Sequence, residues 1–495
     1  MRREGEWELR GLLSWGLAGC LWLVAVLVAG EAFADDAARQ PNVVVVFIDD
    51  LGWGDFSCFG NKEGATPHID RMAAEGIRFS QFYVSSPICS PSRCSLTTGQ
   101  YPQRWKITSF LNSRADNARR GVANWLDPEA PTMARILQQH GYRTGHFGKW
   151  HLGGQRDVDD APAIAKYGFD ASLTNFEGMG AKLLPLTLKP GDSVPGKIWS
   201  DAERLGAPVT WMQRSKITGG FVDGAIAFID AATRDGKPFY VNVWPDDVHS
   251  PFWPPVETWG ENKRELYLAV LEAMDLQLGK LFDHLRSRDE LRENTIVLIC
   301  SDNGPEAGAG SAGPFRGGKT ELFEGGIRSP LIVWSPALVA AEQRGKANET
   351  AVLSTLDLLP SLAKLAGAPL PADVQFDGEE CSATLLGRGN ESRTAPLFWR
   401  RPPDRKTAGA KGRRVLPDLA MREGKWKLLC DYDGAGALLY DLESDRGETK
   451  NLAQQHPDRT KAMQAKLLAW HSSMPADRGP ELGQETLESL RKTAK

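Results

Sequence analysis

Asn42-Val43-Val44-Val45-Val46-Phe47-Ile48 runs straight into Asp49-Asp50. An unbroken β-branched run has no polar face, so it reads as a strand buried on both sides. Such strands belong to parallel sheets covered by helices. The following chain alternates accordingly. Helices are expected over 67–75, 132–139, 221–232 and 266–285, and extended segments over 77–84, 143–147, 239–244 and 295–300. The expected fold class is α/β: a large mixed, mostly parallel sheet with helices on both faces.

Polar residues fall where these strands end. Asp49-Asp50, Lys149 with His151, His249, and Asp302-Asn303 each follow a strand within a few residues. Open α/β sheets bind ligands beyond the carboxyl ends of their strands. Any one of these residues could cap a helix or line a loop; jointly they aim chemistry at one edge. Asp49, Asp50, Asp302 and Asn303 offer only oxygen donors, a set suited to Ca²⁺ or Mg²⁺ and not to zinc. Two adjacent aspartates ending an apolar strand would also repel, and burying them without a cation is costly.

Cys89-Ser90-Pro91-Ser92-Arg93-Cys94-Ser95-Leu96-Thr97-Thr98-Gly99 reads as a loop entering a short helix, with Ser90 able to cap, Pro91 at the first helical position and Gly99 as the stop. Cys89 then lies where free N–H groups and the helix dipole favour an anion, and Arg93 can reach back from one turn on. The structural alternative is a buried thiol or a Cys89–Cys94 disulfide. Cys58, Cys300, Cys381 and Cys430 add neither zinc-like spacing nor a disulfide scaffold. Lys149 and Lys319 could bind an anion as point charges, although most lysines are simply solvated. Lys319 sits between Gly317-Gly318 and Glu324-Gly325-Gly326, where glycines permit close backbone approach.

Cys89-Ser90-Pro91-Ser92-Arg93 with Leu96-Thr97-Thr98-Gly99 resembles the signature of the type I, formylglycine-dependent sulfatases, arylsulfatase-like members of the alkaline-phosphatase-like superfamily. Lys149-Trp150-His151-Leu152-Gly153 resembles their second signature, and the Gly-Gly-Lys and Glu-Gly-Gly flanks around Lys319 are similar too. The stretch 237–251 resembles the segment carrying their leaving-group histidine, with Ser250 and Pro245-Asp246-Asp247 as departures. The similarity spans roughly residues 41–475.

The resemblance implies that a formylglycine-generating enzyme converts Cys89 to formylglycine, which joins Asp49, Asp50, Asp302 and Asn303 around Ca²⁺; Mg²⁺ is equally compatible with the ligand types. One hydroxyl of the hydrated aldehyde, ionised beside the cation and Arg93, would attack sulfur to give a sulfate hemiester. The second would lose its proton and collapse to the aldehyde, expelling sulfate. His151 would orient or deprotonate the diol, and His249 would protonate the departing alcohol. Lys149, His249 and Lys319 would bind the substrate sulfate. The expected function is hydrolysis of sulfate esters on sulfated carbohydrates. A phosphomonoesterase of the same superfamily would want Ser or Thr at position 89 and a histidine-rich dinuclear zinc site. A non-catalytic anion-binding relative would have degenerate motifs. The sequence has none of these features.

With 495 residues, 41% apolar and 25% charged, the chain is ordinary globular material, and a net charge of −4 argues against a general nucleic-acid binder. Arg2, Arg3 and Arg10 precede an apolar run over 11–30, and Ala32-Phe33-Ala34 offers a cleavage site. Residues 1–34 are therefore expected to be a signal peptide. An uncleaved anchor and a lipoprotein box at Cys20 are the alternatives. Cleavage implies export to a periplasmic, extracellular or other secretory compartment, with no stable membrane span. A catalytic domain is expected over 35–385, a small C-terminal antiparallel α+β subdomain over 386–475, and a tail over 476–495. Within the subdomain, 397–399 reads as an isolated strand, 419–422, 426–431 and 437–441 as antiparallel strands, and 457–470 as a closing helix. Arg400, Arg401, Arg405, Lys406, Lys411, Arg413 and Arg414 read as a solvated basic loop or a contact for an anionic polymer. Trp150, Trp244 and Trp253 flank the site motifs, where indoles fill core or cover sugar rings.

Overall fold

The structure, a computed structural model, describes residues 40–155, 157–403 and 416–479. The expected signal peptide and the basic residues 405–414 lie outside the described residues. In chain order the large sheet contains β1 (Asn42–Ile48), β2 (Ile77–Tyr83), β3 (Arg143–Gly148), β4 (Ala171–Thr174), β5 (Lys182–Thr187), β6 (Gly196–Lys197), β7 (Val209–Gln213), β8 (Phe239–Trp244), β9 (Thr295–Ser301), β10 (Arg328–Trp334), β11 (Ala347–Asn348) and β12 (Leu353–Ser354). The spatial order is β11-β2-β10-β9-β1-β8-β3-β4-β5-β6, with β12 on β2 and β7 on β5.

The valine run is the centre of this sheet. β1 pairs in parallel with both β8 and β9, and β3 pairs in parallel with β8. Alternate side chains of β1 feed two cores. Val43, Val45 and Phe47 join the cluster containing Leu96, Ile136 and Leu359, whereas Val44, Val46 and Ile48 join Met72, Phe221 and Leu278 on the other face. All six β1 side chains are fully buried, each favouring the fold by about 1.5–3 kcal/mol. The mixed character comes from β10, antiparallel to both β9 and β2. Four adjacent strands, β9-β1-β8-β3, thus run the same way and end at the same edge. That is the expected architecture, and it gathers the strand-end residues.

The small sheet is antiparallel, β13 (Leu397–Arg400), β14 (Leu419–Glu423), β15 (Trp426–Cys430) and β16 (Leu438–Asp441), backed by the helix Pro457–Ser473. The reading of 397–399 as isolated is corrected: β13 pairs with β14 from Leu397↔Arg422 to Arg400↔Leu419. Its partner lies beyond the basic segment, so local sequence could not reveal it. Arg400 and Arg401 are also not solvated. Arg400 is buried and donates to the carbonyl oxygens of Pro475 and His471, and Arg401 lies 2.6 Å from Asp418. Among the described residues no helix is long and apolar enough to cross a membrane.

Candidate active site

The helix Cys89–Thr98 begins two residues earlier than the sequence suggests. Ile88, in extended conformation, precedes it, Cys89 is its first residue, and Gly99 stops it at φ 64°. Ser90 does not cap it; its hydroxyl accepts the Leu111 N–H at 3.0 Å and ties the 107–112 loop to the nucleophile end. Every residue of the helix is buried. Cys89 and Cys94 are both free thiols, as are the other four described cysteines.

Around Cys89 the four strand ends converge. Ligand atoms of Asp49, Cys89 and Asp302 all lie within 4.8 Å of one another. Arg93, fully buried, donates to Asp302 at 2.8 Å and to the Lys149 carbonyl at 2.9 Å, with Asp49 at 3.6 Å. Lys149 Nζ sits 2.6 Å from Asp49, and Lys319 Nζ 2.6 Å from Asp50 and 3.1 Å from His249 Nε2. The imidazole of His249 is about a third exposed, and its Nδ1 faces the Ser250 carbonyl at 2.5 Å. Asn303 Nδ2 donates to Asp50 Oδ1 at 2.8 Å. Asp49, Cys89, Arg93, Lys149 and Asp302 thus gather at one point, and the Asp50 N–H, 3.1 Å from Asp302, links them to the Asp50, His249, Lys319 and Asn303 group. Asp50 and His151 hold positive φ, 59° and 53°, a left-handed conformation that non-glycine residues adopt only where surroundings enforce it.

The site's charges are unbalanced in a telling way. Burial would raise the Asp49 carboxyl, but Lys149, His249 and Arg93 hold it well below the usual range. Burial and the Asp49 carboxylate push Asp302 well above it. Asp49 Oδ1 and Asn303 Oδ1 are buried and accept no hydrogen bond. Orphaned acceptors among crowded carboxylates are what a hard cation with oxygen ligands would satisfy. The donor set fits Ca²⁺.

Glu177 was not legible in the sequence. It lies in the loop between β4 and β5, a stretch without a recognisable motif, and its Oε1 is 3.1 Å from His151 Nε2. His151 Nε2 also faces the Leu111 carbonyl at 3.1 Å. Two acceptors at Nε2 place the proton there, leaving Nδ1 as a buried acceptor without a partner. Burial, with the Lys149 and Arg93 charges, pushes His151 down to about 3, so it is a neutral base. The Pro245-Asp246-Asp247 departure also gains a role. Asp247 accepts from buried Arg214 and from Thr218, while its carbonyl receives the Asp49 N–H, bracing the β1 and β8 ends together.

The sequence profile of the Sulfatase family matches residues 41–368. The chain is a formylglycine-dependent sulfatase by family. It is similar to human arylsulfatase A, 32% identical over 474 residues that cover 87% of this chain and 86% of the relative. It is also similar to the N-acetylgalactosamine-6-O-sulfatase of Bacteroides thetaiotaomicron, 30% identical with 85% and 91% covered. Among solved structures, Ps i-CgsB in complex with k-i-k-neocarrahexaose aligns with TM-score 0.69 at 25% identity, covering 88% of this chain and 92% of that one. The sulfatase motifs therefore sit in a sulfatase fold, and the enzyme is a hydrolase of sulfate esters.

Proposed function

We propose that this sulfatase is an exported enzyme that removes sulfate from carbohydrates, using formylglycine made from Cys89 by a formylglycine-generating enzyme. The observation that carries the reading is the placement of Cys89 on the first turn of its helix, within a cage of Asp49, Asp302, Arg93 and two lysines. The carbohydrate class is supported by the relatives, whose names include an N-acetylgalactosamine-6-O-sulfatase. Asp49, Asp50, Asp302, Asn303 and residue 89 would hold Ca²⁺, which when bound supplies positive charge to acidify a hydroxyl on residue 89 and to offset charge on the sulfate oxygens.

The chain's own groups account for the remaining requirements. His151 Nδ1, kept free by the bonds at Nε2, accepts a proton from the residue 89 hydroxyl. Arg93 is fixed between Asp302 and the Lys149 carbonyl and so presents a preorganised charge. Lys149 and Lys319, anchored by Asp49 and Asp50, bind the equatorial sulfate oxygens. Lys319 Nζ donates to His249 Nε2, so the pair can pass a proton to the departing alcohol oxygen. Lys319 is held in place by glycines: a Cβ at Gly326 would lie 1.9 Å from the Glu321 carbonyl oxygen, and one at Gly318 2.8 Å from that of Pro305.

Sulfate release from sulfated monosaccharides, by protein coexpressed with a maturing enzyme, tests the reading. Turnover of sulfated sugars is expected, with Lys319→Ala and His249→Ala each slowing it by about 10²–10⁴-fold. Faster release of phosphate from the matching phosphomonoesters would overturn it.

A further inference from the structure

Beside His151 lies a recess of about 80 Å³ whose walls include Phe110, Leu111, Gln155, Phe176, Glu177 and Trp199. It borders the reaction centre through Glu177, which lies 3.1 Å from His151 Nε2 and 3.9 Å from the Lys149 ammonium, and through Leu111, whose carbonyl also faces His151 Nε2. Leu111 is also tied to Ser90, the neighbour of Cys89. Three features mark the recess. Gln155 is 3% exposed, yet neither its amide oxygen nor its amide nitrogen has a partner. Glu177 Oε2 accepts no hydrogen bond, although the Lys149 ammonium lies 3.9 Å from it. Phe176 and Trp199 pack ring against ring at 4.1 Å, forming an apolar wall in front of these polar groups. Leaving a buried amide unsatisfied costs about 1–3 kcal/mol, so such a group calls for a ligand.

We propose that this recess binds an acetamido group on the sugar that carries the sulfate; the proposal rests on the sulfatase reading above. A side-chain carboxamide with donor and acceptor both open is complementary to another amide, whose N–H and C=O it can pair. Glu177 Oε2 supplies a further acceptor, and the acetamido methyl meets the Phe176–Trp199 wall. Size agrees. At about 80 Å³ the recess is small, a scale that suits a compact four-heavy-atom substituent. An anionic substituent would face the carboxyls of Glu177 and Asp201, both on its wall, so a neutral amide fits better than a second sulfate or a carboxylate.

The test compares three substrates with formylglycine-bearing, Ca²⁺-loaded enzyme: an N-acetylhexosamine sulfate, the matching hexose sulfate with a hydroxyl in place of the acetamido group, and 4-nitrocatechol sulfate. The wild-type enzyme is expected to favour the acetamido sugar over the hydroxyl sugar by at least about tenfold in kcat/KM. Gln155→Leu should erase most of that preference, chiefly through KM, and leave the aryl sulfate within about twofold. Trp199→Ala, at a half-buried position, should act in the same direction. Parity between the two sugars in the wild type, or an equal loss on all three substrates in Gln155→Leu, would overturn the acetamido assignment alone. No sulfate release from any of the three by the wild type would instead overturn the sulfatase reading, and the assignment with it.

Discussion

At residue 89 the chemistry asks for more than a nucleophile. A serine at this position would keep the small polar side chain at the helix start and could accept a sulfuryl group. It would lack the second hydroxyl whose deprotonation expels sulfate by C–O cleavage. Cys89→Ser is therefore expected to fold, to retain its cation and to fail in steady-state turnover. Intact-mass analysis should find at most one added sulfate on the serine, and wild-type turnover by the variant would refute this account. Peptide mass spectrometry of the active wild type should show residue 89 as an aldehyde, lighter than cysteine and inert to thiol alkylation. Asp302 tests the cation separately. Its carboxylate meets Arg93 and the Asp50 N–H at once, so Asp302→Ala should lose stoichiometric Ca²⁺ and nearly all activity. Elemental analysis decides, and zinc in place of calcium or magnesium would sink the assignment.

At the scale of elements, β5 carries a buried lysine beneath the loop that presents Glu177. Lys182 Nζ donates to Thr174 Oγ1 at 2.8 Å and to the Gly178 carbonyl, pinning the 174–182 turn. Burial pushes this ammonium down to about 7. An unfolded chain takes up the same proton below about 10.4. Between those values the unfolded state binds more protons, so the fold gains stability as pH rises through that window. Lys182→Met abolishes the titration. Wild type should therefore gain on the variant by on the order of 2 kcal/mol between about pH 7 and about pH 9 in chemical denaturation. A gap that stays constant or moves the other way would contradict the buried-charge account.

For the whole molecule, the small sheet is joined to the active site by buried charge. Lys427 of β15 is fully buried, 3.0 Å from Glu324 and 2.9 Å from Glu448. Glu324 opens the short helix that follows the Lys319 loop, and it also accepts from Tyr83 and Arg328. Despite burial, Lys427 and Arg328 hold Glu324 down to about 2, whereas burial raises Glu448 to about 7. Removing the central cation strips Glu448 of its ammonium partner and leaves Glu324 with Arg328 alone of its two paired cations. Lys427→Met should cost about 3–5 kcal/mol in urea unfolding and lower kcat, because the Lys319 loop loses its brace. Adding Glu448→Gln to that variant should restore part of the stability. Full stability and activity in Lys427→Met alone would show that the small sheet is not coupled to the site.

Much of this protein follows from local sequence, because its most informative segments are also the most constrained. The β1 run could only be a doubly buried strand, and the Cys89 motif could only serve its chemistry at a helix start. The residues after β1, β3, β8 and β9 were legible as a group since strand ends in such sheets share an edge. Tertiary structure alone decided the rest. Strand order brought Asp49 and Asp302 together across about 250 residues of chain, a proximity no spacing encodes. Glu177 and Gln155 acquire meaning only from what packs against them, since a lone acid or amide in a loop carries no periodicity to read. The β13–β14 pairing spans a polar insertion, and the burial of Arg400 depends on carbonyls more than 70 residues away. Local pattern reports which face of an element is apolar, whereas which distant backbone meets it is settled by packing of the whole.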